Sequence, residues 1–88
     1  MTISITAQCP HSGMLGAAIS SSSICVASRC IWATAGAGAV ATQNITDPRL
    51  ALDGLRYMAA GTDAESVMER VIGDAQYTDW RQVVFVDP

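Results

Sequence analysis

The run Val83-Val84-Phe85-Val86 places apolar side chains on both faces of one extended segment. A strand that is apolar on both sides belongs inside a layered structure, covered above and below. Two amphipathic helices precede it, and two helices cover only one face of a sheet. The second face needs another layer. The expected architecture is therefore α+β, an antiparallel sheet with two helices on one face and a second sheet supplied from outside these residues. Residues 1–88 then read as part of a domain that is incomplete on its own, with the remainder of the chain or a second subunit completing it and a homo- or hetero-oligomer expected.

The helices have local signals. Asp47 is placed to cap the first, with Pro48 at its first position, where a missing N–H costs nothing. Ala51, Leu55 and Met58 share a stripe, and Gly61 ends it. Thr62-Asp63-Ala64-Glu65 has the form of a capping box ahead of a second helix. Its apolar residues Ala64, Val67, Met68, Val71 and Ile72 follow i, i+3, i+4, i+7, i+8 spacing up to Gly73. Ile3, Ile5 and Ala7 alternate with Ser4, Thr6 and Gln8, the period of a half-buried strand. A turn at Cys9 to Gly13 and a second strand over Met14 to Ser21 make a hairpin with the first. Further strands are expected over Ile31 to Thr34, Gly36 to Gln43 and Arg81 to Asp87.

Charge narrows the function classes. Residues 1–28 carry no formal charge, Arg29 is the first, and all eight acids follow from Asp47 onward. The net charge is −3 with no lysine, so nothing here forms a basic patch for nucleic acid. Gln8, Pro10, His11, Ser12 and the run Ser20–Ser23 interrupt the uncharged opening, and no apolar stretch reaches the roughly 20 residues of a membrane span. With no basic segment ahead of an apolar one, a cytoplasmic protein is expected, with no membrane partner. Cys9, Cys25 and Cys30 are an odd set without a C-x-x-C pair, and only one histidine accompanies them. Free thiols are expected, with no metal and no cofactor.

Two short patterns carry chemistry. Gly36-Ala37-Gly38-Ala39-Val40-Ala41 fits a relaxed dinucleotide fingerprint, but the next helix starts at Asp47-Pro48, too late to meet a pyrophosphate. The other pattern is Thr2. A small residue behind Met1 favours removal of the methionine, which would leave a hydroxyl beside a free α-amine, the layout of an activated nucleophile. With Met1 retained that nitrogen is an amide and cannot act as a base. Thr2 also fits as an ordinary β-branched strand residue.

The stretches "MTISITAQ", "GMLGAAISSSS", "VASRC", "AGAGAVATQNITDP", "GLRYMAAGTDAESVMERV" and "YTDWRQVVFVD" span nearly the whole sequence in order. Together they resemble the start of a bacterial family catalogued as domain-of-unknown-function family ten-twenty-eight, placed among the N-terminal-nucleophile (Ntn) hydrolases. That resemblance implies half of an αββα sandwich, with residues 1–88 as the N-terminal part of one Ntn-hydrolase-like domain. It implies an amidohydrolase that cleaves an amide-type C–N bond, with the mature N-terminal residue as nucleophile and its amine as base.

With the turn centred on residues 10–13, antiparallel pairing brings Thr2 opposite about Ser20–Ser21. Thr2, Ser21 and Asn44 are the candidate catalytic residues, Asn44 as an oxyanion donor. Ser23 and Arg29 are the candidate substrate-binding residues, Arg29 to clamp a carboxylate or keep the amine neutral. A small polar amide fits such a pocket. Each residue also has a plain role: strand end for the serines, surface for Arg29, turn former for Asn44. The competing function is a non-catalytic half-domain that completes an Ntn-like fold around a partner chain carrying the nucleophile.

Overall fold

A computed structural model describes Met1–Pro88. Strands β1 (Thr2–Gln8) and β2 (Leu15–Ser21) form an antiparallel hairpin that is a sheet by itself. Helix α1 (Ala27–Cys30) leads into β3 (Ile31–Thr34) and β4 (Gly38–Asn44). Helices α2 (Pro48–Ala59) and α3 (Ala64–Asp74) follow, then a 3-10 turn (Thr78–Trp80) and β5 (Arg81–Val86). The second sheet is antiparallel with order β3-β4-β5.

The helix signals are met with one change. Asp47 accepts from the Arg49 backbone N–H at 3.1 Å, with Pro48 at the first helical position. For α3 the cap is Asp63, which accepts from the Ser66 N–H at 3.1 Å, and not Thr62. Asp87, just past β5, accepts the Ala64 N–H at 2.7 Å, so the end of the sheet also satisfies the start of the helix.

The core lies between these helices and one face of β3-β4-β5. Val40, Leu50, Ala51, Leu55, Met58, Val67, Val71 and Phe85 form a single buried cluster, with Val40 and Phe85 paired across β4 and β5. Each fully buried aliphatic or aromatic side chain contributes about 1.5–3 kcal/mol. Trp32 packs against the cluster from β3. Thr42 points to this same side, fully buried, and its hydroxyl has no partner. An unsatisfied buried hydroxyl costs about 1–3 kcal/mol. Thr42→Val is therefore expected to raise stability by about 1 kcal/mol, seen as a higher urea midpoint at unchanged slope.

The other face of the three-stranded sheet corrects the sequence-based expectation of one sheet. The hairpin lies across that face, with β1 and β2 against β3, β4 and β5. The layer sought outside these residues comes from within them. Ala39 and Ala41, both buried, give the hairpin a low surface to approach. The three layers are helices, sheet and hairpin.

The hairpin is turned inside out relative to a simple half-buried strand. Thr2, Ser4 and Thr6 point inward and are half-buried, whereas Ile3 and Ile5 are 66% and 63% exposed. Across the pairing, Ala18 and Ser20 lie on the same outer face as Ile5 and Ile3. Inner faces of packed sheets ordinarily carry the apolar residues. Here the inter-sheet seam at the Thr2 end is polar, and an apolar surface faces outward.

Candidate active site

The register that turn arithmetic predicted is the register present: Thr2 pairs with Ser21 and Gln8 with Leu15. Both hydroxyls at the hairpin end point to the same side, and Thr2 Oγ1 lies 3.0 Å from Ser21 Oγ. The backbone N–H of Ser23 donates to Ser21 Oγ at 3.2 Å. A hydroxyl oxygen has two lone pairs, so Ser21 can take the Ser23 N–H and a proton from Thr2 together. With Thr2 as donor, that arrangement turns its proton onto the Ser21 oxygen. The chain folds this way because a short turn closes the hairpin, with the Cys9 N–H donating to the Met14 carbonyl at 2.8 Å and Gly13 at φ 76°.

Below Thr2, across the gap between the sheets, lies a residue that sequence reasoning did not single out. Gln43, on β4, is 5% exposed. Its Oε1 accepts from Ser4 Oγ at 2.7 Å, and its Nε2 donates to Gln82 Oε1 at 3.1 Å and to the Thr2 carbonyl at 3.5 Å. The only sequence signal for it is position. In the run "GAVATQN" a glutamine follows the small and apolar residues Gly38–Ala41 on what reads as a central strand.

The remaining candidates are not all gathered at Thr2. Ser23 joins the cluster through its backbone, with its own side chain exposed. Asn44 stands at the end of β4 with φ 69°, and its amide nitrogen donates to the Trp80 carbonyl. Its donors are turned to the loop before β5, away from the oxyanion role. Arg29 turns back to donate to the Ile24 carbonyl at 2.6 Å, and no hydrogen bond joins it to Thr2, Ser21 or Ser23. In the structure Asn44 shapes a left-handed strand end tied to the loop before β5, and Arg29 braces the loop after β2.

The sequence matches the Family of unknown function (DUF1028) over residues 2–88. The chain belongs to this family. The resemblance carried by the quoted stretches is thus met at the family level. The crystal structure of protein SPO2555 from Silicibacter pomeroyi, described with the same family, superimposes with a TM-score of 0.90 at 25% identity. The match covers 98% of this chain and 40% of that one, so this DUF1028 chain spans 40% of the length of its structural relative. No curated protein matches it.

Two concave regions of the DUF1028 chain lie apart from the Thr2–Ser21 pair. A groove of about 340 Å³ between α2 and α3 is lined by three arginines and three aspartates. Its charges are largely spent on one another or on the backbone. Asp47 is held below the ordinary carboxylate range by the Arg49 side chain, 3.0 Å away, and Arg81 donates to the Gln76 and Ile45 carbonyls. Arg70 stacks on the Tyr57 ring at 4.7 Å. The second region lies by Ser12–Leu15 and Gly36, at the opposite end of the hairpin from Thr2.

The dinucleotide fingerprint dissolves into sheet geometry. Gly36 has φ 74° in the β3–β4 turn, and a Cβ on Gly38 would meet Met58 Cε and the Val86 carbonyl oxygen at 2.6 Å. These glycines serve a turn and a close approach, and no helix begins within the motif. No helix is long and apolar enough to cross a membrane.

Proposed function

We propose that this chain forms part of an Ntn-type amidohydrolase, with Thr2 as nucleophile once it becomes the mature N-terminus. The observation that carries the reading is the 3.0 Å contact of the Thr2 and Ser21 hydroxyls at the mouth of a polar seam between two sheets. In this mechanism Thr2 Oγ attacks the amide carbon while its α-amine takes the hydroxyl proton, directly or through Ser21. The proton passes to the leaving nitrogen, the C–N bond breaks, and an ester remains on Thr2. Water, deprotonated by the same amine, then attacks the ester carbon; the bond from that carbon to Thr2 Oγ breaks, the amine returns the proton to Oγ, and the acid leaves. The substrate class is a small polar amide, suited to a seam lined by hydroxyl and amide side chains.

The layering supports the placement. Helices, a three-stranded sheet and a hairpin match in order three of the four layers of the proposed αββα sandwich, and Ile3 and Ile5 on the outer hairpin face suit a fourth. The remainder of a longer chain or a second subunit is the proposed cover. The exposed face alone would equally serve a non-catalytic half-domain, and covalent labelling separates the two. Protein with Thr2 as its N-terminus, treated with a β-lactone, is expected to gain one adduct mapping to Thr2 by peptide mass spectrometry. An adduct elsewhere, or none, favours the non-catalytic partner.

A further inference from the structure

We infer that Gln43 is the positioning residue of the Thr2 site, a role that rests on the reading of Thr2 as nucleophile. A glutamine buried in a central strand must satisfy two N–H donors and a carbonyl, and unsatisfied amide groups are costly away from water. Beside Ala39 and Ala41, a small apolar residue would fill the seam without that demand. Gln43 meets it by reaching two other strands at once. Its carbonyl takes the Ser4 hydroxyl at 2.7 Å on β1, and its nitrogen serves Gln82 on β5 at 3.1 Å and the Thr2 carbonyl at 3.5 Å. One side chain therefore ties the hairpin sheet to the central sheet at the end where Thr2 stands.

The short bond is to Ser4, two residues along β1 and on the same face as Thr2. It sets the height of β1 above β4, and the longer contact with the Thr2 carbonyl fixes the first residue of the strand. Thr2 pairs laterally only with Ser21, so the support from below comes from Gln43. Catalytic groups tolerate misplacement of only about half an ångström, and a 1 Å error costs about 10²-fold in rate. Gln43 touches neither hydroxyl of the Thr2–Ser21 pair. It acts through the backbone that carries them.

The test uses two variants of the protein with Thr2 as N-terminus. Gln43→Glu keeps the shape and puts a carboxylate close to the Thr2 backbone. NMR titration of the Thr2 α-amine is expected to show its midpoint raised by several tenths of a pH unit or more, since a nearby negative charge favours the ammonium form. Gln43→Leu removes all three contacts, and β-lactone acylation at Thr2 is expected to slow by about 10–100-fold while the protein still melts cooperatively. An unmoved amine midpoint in Gln43→Glu overturns the inference whatever the acylation result, and it decides the matter if Gln43→Leu does not fold. Acylation in folded Gln43→Leu within about two-fold of wild type also overturns it. Absence of Thr2 acylation in wild type overturns the nucleophile reading, and the catalytic purpose of Gln43 with it. The amine titration then still reports whether Gln43 reaches Thr2, so the two failures are told apart.

Discussion

Thr2→Ala is expected to abolish β-lactone acylation and any amide hydrolysis the wild type performs, with a loss on the order of 10³-fold or more. The alanine keeps the α-amine but has no Oγ to form the ester, so the covalent step has no substitute. Stability should change little. Thr2 is half-buried and its side chain makes one hydrogen bond, to Ser21, which is worth about 1 kcal/mol. Thr2→Ser retains hydroxyl and amine and is expected to acylate measurably. Ser21→Ala leaves the nucleophile but removes the relay and the oxygen that takes the Ser23 N–H, and an intermediate loss of about 10²-fold is expected. Turnover by folded Thr2→Ala protein at the wild-type rate would sink the assignment, and the Thr2–Ser21 contact would then be an ordinary cross-strand hydroxyl pair.

Which parts of this arrangement were legible in the sequence follows from how local each signal is. Asp47-Pro48 and the apolar stripe of α2 lie within a few residues of one another, and the helix formed where they predicted it. The hairpin register was legible because a short turn sets it by counting. The partition into two sheets was not. Alternation tells which residues share a face, but not which face looks inward. Ile3 and Ile5 share a side with Ala18, and only the packing of β1 over β4 sends that side outward. Helix α1, at four residues, is too short to show a period.

The site divides the same way. Thr2 opposite Ser21 came from strand pairing, a short-range rule. Residue type and proximity in sequence point to Asn44 and Arg29, but other contacts set their side chains: Arg29 is engaged by the Ile24 carbonyl in the loop after β2, and Asn44 by Trp80, 36 residues further on. Gln43 was missed because its importance lies in contacts 39 and 41 residues away, with Ser4 and Thr2. A polar residue in a buried strand was the available clue, and it is the pattern to search for where two sheets meet.

Gly54→Ala is expected to destabilise the fold by about 2 kcal/mol or more, although alanine is the better helix former by roughly 1 kcal/mol. Gly54 is buried in α2 above β5, and a Cβ there would stand 2.1 Å from Phe85 Cε1 and 2.9 Å from Cζ. Optimal carbon contacts lie at about 3.5–4.0 Å. The Phe85 ring is flat, stiff and 9% exposed within the cluster of Val40, Leu55 and Met58, so it has little room to turn. Steric overlap outweighs helix propensity, and α2 must lift from the sheet. For a domain of this size about 2 kcal/mol is a fall of roughly 8–16 °C in Tm. Phe85→Leu shortens the offending group, so in a double-mutant cycle the Gly54→Ala penalty should shrink in its presence, with coupling of about 0.5–3 kcal/mol. The effect should also reach the seam. Phe85 faces α2 while Gln82, on the same strand, faces Gln43, so lifting α2 loosens the strands that hold Gln43 beneath Thr2. Slower β-lactone acylation well below the melting temperature is the expected sign. A Gly54→Ala protein within about 0.5 kcal/mol of wild type, with unchanged acylation, would show that the contact between α2 and β5 neither limits stability nor sets the site.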